Sequence, residues 1–96
     1  MRRSAKVDAN QAEIVEALRK IGATVHSTAA IGKGFPDIAA GWRGMTFLLE
    51  VKDGSKPPSA RKLTEDERLW HENWRGHVEV VYSVEDAIRA VTGQEG

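Results

Sequence analysis

The sequence predicts a layered α/β domain with a mixed sheet flanked by helices. Three observations carry that expectation. An amphipathic helical stripe opens the chain, three strand-like segments follow it, and a capped helix then separates them from a fourth strand and a last short helix. The order is helix, three strands, helix, strand, helix. A chain of 96 residues has room for one core, so residues 1–96 are expected to form a single domain.

Each element has its own signal. From about Asp8 to Ile21, the residues Val7, Ile14, Leu18 and Ile21 fall on a narrow stripe at 3.6 residues per turn. Asp8 is suited to cap this helix and Gly22 to stop it. ATVHS reads as a short strand and AIGKGFP as a glycine-bearing loop. DIAAGW and MTFLLEVK are strand-like, with Arg43 and Gly44 as the turn between them. KDGSKPPSARK, with its Pro57-Pro58 pair, is a long polar loop. Thr64 and Glu67 have capping-box spacing and open a helix to about Arg75, ended by Gly76. HVEVVY is a strand. Ser83 and Asp86 cap the final helix, which Gly93 closes.

Composition narrows the function classes. Hydrophobic residues make up 41% of the chain, enough for a packed core. There is no cysteine, which excludes a disulfide framework or a Cys-based zinc site and suits a reducing compartment. The longest apolar run falls far short of the ~20 residues that span a bilayer, and the basic N-terminus lacks the apolar stretch of a secretory signal. The 14 basic and 14 acidic residues cancel, which argues against coating nucleic acid by charge alone. The charge is nonetheless uneven. Lys52, Lys56, Arg61 and Lys62 face a single acid, Asp53, within residues 51–63, whereas residues 64–86 carry seven acids and only Arg68 and Arg75. Arg2, Arg3 and Lys6 form a second basic cluster. A local basic stretch can hold phosphates; it can equally be an ordinary solvated loop.

The informative stretch is FPDIAAGWRGMTFLLEVK, residues 35–52. A hairpin centred on Arg43-Gly44 sets Trp42 against Met45 and, counting outward, Asp37 against Glu50. Opposed residues on antiparallel strands have Cβ atoms about 4.5–5.5 Å apart. Lys52 shares the face of Glu50, and Phe47, Leu49 and Val51 point the other way, into the core. Two carboxylates and an ammonium thus converge, and the like charges raise each other's pKa. A salt-bridge triad with Lys52 is one resolution. The other is a hard divalent cation on the two carboxylates, with the Val51 carbonyl as a further ligand.

Pro36-Asp37 followed by Glu50-Val51-Lys52 fits the PD-(D/E)xK nuclease signature, a short and degenerate pattern. The surroundings are more specific. The stretches GKGFPDIAAG, FLLEVKDGSKPPSARKLT, WHENWRG and VYSVEDAI, together with the first helix, resemble the VRR-NUC branch of that superfamily in its minimal bacterial and phage form. The resemblance covers nearly the whole chain. It implies the restriction-endonuclease-like αβββαβ core and a metal-dependent endonuclease that hydrolyses DNA phosphodiesters, leaving a 5′-phosphate and a 3′-hydroxyl. Asp37 and Glu50 are then the metal-binding carboxylates for Mg²⁺ or Mn²⁺, with the Val51 carbonyl beside them. Lys52 orients the attacking water and stabilises charge on the phosphate. Glu13 is the first-helix acid that completes the site. One residue before Ile14, it lies roughly 100° from the apolar stripe, a position that also suits an exposed helix acid.

One departure stands out. Many relatives carry a glutamine early in the second helix, where this chain has Glu67 and Arg68. Arg68 is a candidate phosphate contact, and Glu67 can be taken up by the capping box. Lys33 in the glycine loop, with Ser59, Arg61 and Lys62 in the polar loop, are further candidates for gripping DNA. His26, His71 and His77 have no zinc-site spacing. Trp70 and Trp74 share a helix face and read as packing, within the fold or between subunits. The resemblance further implies a homodimer acting on branched DNA such as four-way junctions, in the cytoplasm of a bacterial or phage-infected cell. The trptophan pair, or Ile31 and Phe35, are the apolar residues available for the contact. The rival reading is a non-catalytic DNA-binding or assembly module that keeps the fold.

Overall fold

In a computed structural model, residues 9–93 are described. Val7 and Asp8 at the expected helix start, and the Arg2, Arg3, Lys6 cluster, lie outside the described residues. The elements are α1 (Ala9–Lys20), β1 (Thr24–Ser27), β2 (Ile38–Trp42), β3 (Met45–Val51), α2 (Glu65–Asn73), β4 (Glu79–Val81) and α3 (Val84–Thr92). Short 3₁₀ turns at Ala29–Ile31 and Pro58–Ala60 interrupt the two long loops. The sheet runs β1-β2-β3-β4. The first three strands form an antiparallel meander, and β4 joins β3 in parallel after the crossover through α2. The sheet is therefore mixed, as expected, and the first three strands pair in chain order.

The hairpin register is the one the sequence predicts. Trp42 pairs with Met45 and Ile38 with Leu49, which brings Asp37 opposite Glu50 one step beyond the ladder. Arg43 and Gly44 both take positive φ in the turn, as a two-residue hairpin loop requires. One sheet face carries Val25, Ile38, Ala40, Phe47, Leu49, Val51 and Val81; these pack with Ile14 and Leu18 of α1 and Ala87 and Val91 of α3 into the core. Helices α1 and α3 contact each other and lie across this face. The other face carries Glu50 and Lys52 toward α2.

Helix α2 differs from the other two: none of its residues is fully buried. Its capping box forms as expected, with Thr64 Oγ1 accepting from the Glu67 N–H and the Glu67 carboxylate accepting from the Thr64 N–H. It ends at Asn73, short of Gly76. Trp74 turns extended and its indole N–H donates to the His77 carbonyl, so Gly76 serves to let the Trp74 ring lie against the backbone and not as a helix cap. Strand β4 is shorter than HVEVVY, because His77 pairs with Glu79 and the Tyr82 N–H is taken by Asp86 at the start of α3. The α3 cap on Ser83 and the left-handed Gly93 both form.

Gly34 fixes the loop before Asp37. Its φ is +85°, and a Cβ there would overlap the Asp66 carbonyl oxygen in the first turn of α2. This loop glycine admits the helix backbone. Gly34→Ala should therefore cost about 2–3 kcal/mol in urea unfolding. Gly93→Ala, at a similar φ with open space around it, should cost only about 1 kcal/mol. Equal losses would contradict the close approach.

Candidate metal and phosphate site

The site is built at the end of the β2–β3 hairpin. Thr28 holds the entry: its N–H donates to the Asp37 carbonyl (2.8 Å) and its hydroxyl to the Pro36 carbonyl (2.6 Å). The Asp37 N–H donates to the Leu49 carbonyl (3.1 Å), and Asp37 Oδ2 accepts the Val51 N–H at 2.8 Å. One carboxylate oxygen is thus fixed by the strand carrying Glu50. On the far side, the Lys52 N–H donates to the Val81 carbonyl (3.0 Å) and Asn10 Nδ2 donates to the Lys52 carbonyl (2.9 Å). These bonds hold both strand ends and, apart from Asp37 Oδ2, leave the groups that would do chemistry unused.

Glu50 is the unusual residue. Its side chain is 1% exposed; as an ionised carboxylate its Oε1 is buried with no donor to accept from, whereas a protonated Glu50 hydrogen-bonds to the Asp37 and Glu67 carboxylates. Burial, then Asp37 and then Glu67, push its pKa up to about 9. Lys52 Nζ lies 3.7 Å from Glu50 Oε2 but 2.8 Å from Glu67 Oε1, so the ammonium is drawn to Glu67. Burial works against the charged Lys52, but the hydrogen bond and charge of Glu67, followed by Glu50 and Asp37, outweigh it and raise its pKa. Burial likewise opposes the ionised Glu67, yet Lys52 and the Thr64 N–H hold it below the usual carboxylate range. Four groups thus cluster where the sequence pointed to three.

The donor set suits a hard divalent cation. The Asp37 and Glu50 carboxylates are adjacent, and a buried carboxylate oxygen stands unsatisfied, which a cation would satisfy. Among the described residues, no group of three or more His, Cys, Asp or Glu side chains is placed to hold a metal ion, so the candidate side-chain ligands are the two carboxylates alone.

The other sequence-predicted residues sit apart from this cluster. Glu13 is exposed on α1 and lines a cleft of about 580 Å³ with Asn10, Asp53, Arg61 and Ser83. It is one wall of a groove beside the Lys52 backbone and not a member of the carboxylate pair. Arg61 Nε donates to the Lys56 carbonyl, which braces the loop. Ser59, Lys62 and Lys33 are exposed. Arg68 is held between Glu65 and Glu72 at 2.6 Å each, so its charge is shared along its own helix.

Two residues were missed by sequence reasoning. Asn10 pins the start of the polar loop. His71, one helical turn beyond Glu67, has its Nε2 buried without a partner; burial lowers its pKa, Glu67 opposes and Lys52 adds to the effect. Only its i, i+4 spacing from Glu67 could have signalled it. Trp70 stacks on Trp74 (centroids 4.6 Å apart) and meets Phe35 edge-on at 5.1 Å. The two apolar groups considered separately in the sequence therefore join. Ile31, Leu69 and Trp74 keep large exposed areas.

The Glu50 shift has a consequence for stability. Its pKa is about 9 folded against an ordinary 4.5, so between these values the folded state holds a proton that the unfolded state has lost. Stability of the metal-free protein is fully present below pH 4.5 and falls as pH rises toward 9. His71 acts in the opposite sense, but only below its ordinary pKa of 6.5. Melting curves from pH 7 to about 9 should therefore show a decline. Glu50→Gln should flatten it and be more stable than the parent by about 1–3 kcal/mol at the alkaline end. A parallel decline in the variant would contradict the assignment.

Among the described residues no helix is long and apolar enough to cross a membrane. No family model matches the chain, and no curated protein matches it. A solved structure described as a VRR_NUC domain does match, with a TM-score of 0.62 and 25% identity over 85% of this chain and 89% of that chain. With the element order, mixed sheet and hairpin register already described, this match supports the VRR-NUC resemblance, and the chain shares the α/β fold of that domain.

Proposed function

We propose that the protein is a metal-dependent endonuclease that hydrolyses DNA phosphodiester bonds. The observation that carries this reading is the buried, unsatisfied carboxylate oxygen of Glu50 beside Asp37, with the Lys52 ammonium adjacent. A DNA-binding module has no need of paired acids where phosphate must approach; a site for phosphoryl chemistry does. Asp37 and Glu50, with the Val51 carbonyl, would hold Mg²⁺ or Mn²⁺. Such an ion, when bound, supplies positive charge to the scissile phosphate and makes water more acidic. Lys52 orients the attacking water and stabilises charge that builds on the phosphate. Lys33, Ser59, Arg61, Lys62 and Arg68 are the proposed backbone contacts, and Glu13, on the groove beside them, is the proposed first-helix acid that completes the site.

A dimer on branched DNA belongs to the same proposal. One active site cuts one strand, and a twofold pair would set two sites in fixed opposition. The exposed apolar residues Ile31, Leu69 and Trp74 support such a contact.

Asp37→Asn should abolish nicking of supercoiled plasmid in Mn²⁺ and weaken Mn²⁺ binding in calorimetry, with the fold retained. Unchanged Mn²⁺ affinity would remove Asp37 from the metal site. Lys52→Ala should lower the single-turnover rate by about two or more orders of magnitude while DNA affinity changes far less. Equal losses would make Lys52 a simple phosphate anchor. Light scattering at micromolar concentration should give a dimer mass, with four-way junctions cut in preference to linear duplex. A monomer, or equal cutting of the two substrates, would sink that part of the proposal alone.

A further inference from the structure

We infer that Glu67 is a positioning residue for Lys52, aiming its ammonium into the site from a carboxylate that the N-terminus of α2 holds in place. The inference rests on the nuclease reading for what Lys52 does, and on geometry for how it is held. A single oxygen, Glu67 Oε1, accepts from Lys52 Nζ at 2.8 Å and from the Thr64 N–H at 2.9 Å. The second bond belongs to the capping box, so the oxygen is fixed by helix geometry and not by a flexible side chain alone. The backbone beneath it is fixed as well. Asp66 and Glu67 pack against Gly34 so closely that no Cβ fits, and Gly34 leads directly to Pro36 and Asp37. The start of α2 is thereby keyed to both acid-bearing segments.

The consequence for Lys52 is directional. An ammonium has three N–H donors on a flexible stem. Without Glu67, the available carboxylate partner is Glu50, 3.7 Å away, and a lysine drawn onto Glu50 would occupy the acids that a cation needs. With one donor committed to Glu67, Lys52 stands beside the acid pair instead of across it, and its other donors remain for water and phosphate. Both side chains are mostly buried, at 15% and 18% exposure, so the pair is shielded from the screening that weakens surface ion pairs.

Two measurements test this. The first is a double-mutant cycle on urea unfolding of the metal-free protein, using Glu67→Ala, Lys52→Ala and the double variant. It should show a coupling of about tenfold in the unfolding equilibrium constant. It needs no cleavage, so it decides the contact even if the nuclease reading fails. The second is single-turnover cleavage. Glu67→Ala should lower the rate at saturating DNA by about tenfold or more, with DNA affinity little changed, and Glu67→Gln, which keeps the accepting oxygen, should recover most of it. The effect should vanish in the Lys52→Ala background. Gly93→Ala, destabilised at the far end of α3, should cleave at the parental rate, separating positioning from lost stability. Additive effects in the unfolding cycle would overturn the inference. So would a Glu67→Ala rate loss that persists without Lys52, or no rate loss at all.

Discussion

The burial of Glu50 is the constraint on which this structure turns. A carboxylate at 1% exposure with one oxygen unbonded is expensive, and the hairpin register sets a second carboxylate opposite it. The fold could relieve this by turning Asp37 outward, but Asp37 is tied to the Val51 amide and its backbone to Thr28 and Leu49. Neutralisation is left to a proton, to Lys52, or to a cation. Local rules broken this plainly are expected at functional sites.

The two faces of the sheet divide the work. On one, α1 and α3 bury a continuous apolar cluster around Ile14, Leu18, Ile38 and Leu49. On the other, α2 fully buries none of its own residues and is held by specific contacts: Glu67 to Lys52, Asp66 against Gly34, and Trp70 against Phe35. Each of these contacts lies on a segment that also carries the site. The stability of α2 and the geometry of the site are therefore coupled.

Much of this was legible in the sequence, for physical reasons. The Arg43-Gly44 turn sets the register, and register alone places Asp37 opposite Glu50 and sends Leu49 and Val51 inward. The caps at Thr64 and Ser83 are local motifs and formed as read. What escaped was long-range. Gly34 reads locally as a flexible loop glycine; that it faces Asp66 depends on how a crossover helix docks. Helix α2 ends at Asn73, close to the expected end near Arg75, but Gly76 serves the Trp74 ring and does not cap the helix, a contact that spacing does not reveal. Glu13 has the chain position of a site acid and lines the groove beside the Lys52 backbone. Glu67 satisfies a cap and a lysine with one oxygen, and sequence spacing shows only the first.

The most direct test of the account is calorimetric titration of Mn²⁺ into the metal-free protein near neutral pH, repeated in buffers of different ionisation enthalpy. If the cation takes the place of the proton on Glu50, binding should release about one proton per ion. The Glu50→Gln variant should bind much more weakly and release none. Mn²⁺ binding that releases no proton, or that survives the loss of the Glu50 carboxylate unchanged, would contradict the claim that this buried acid is built for a metal.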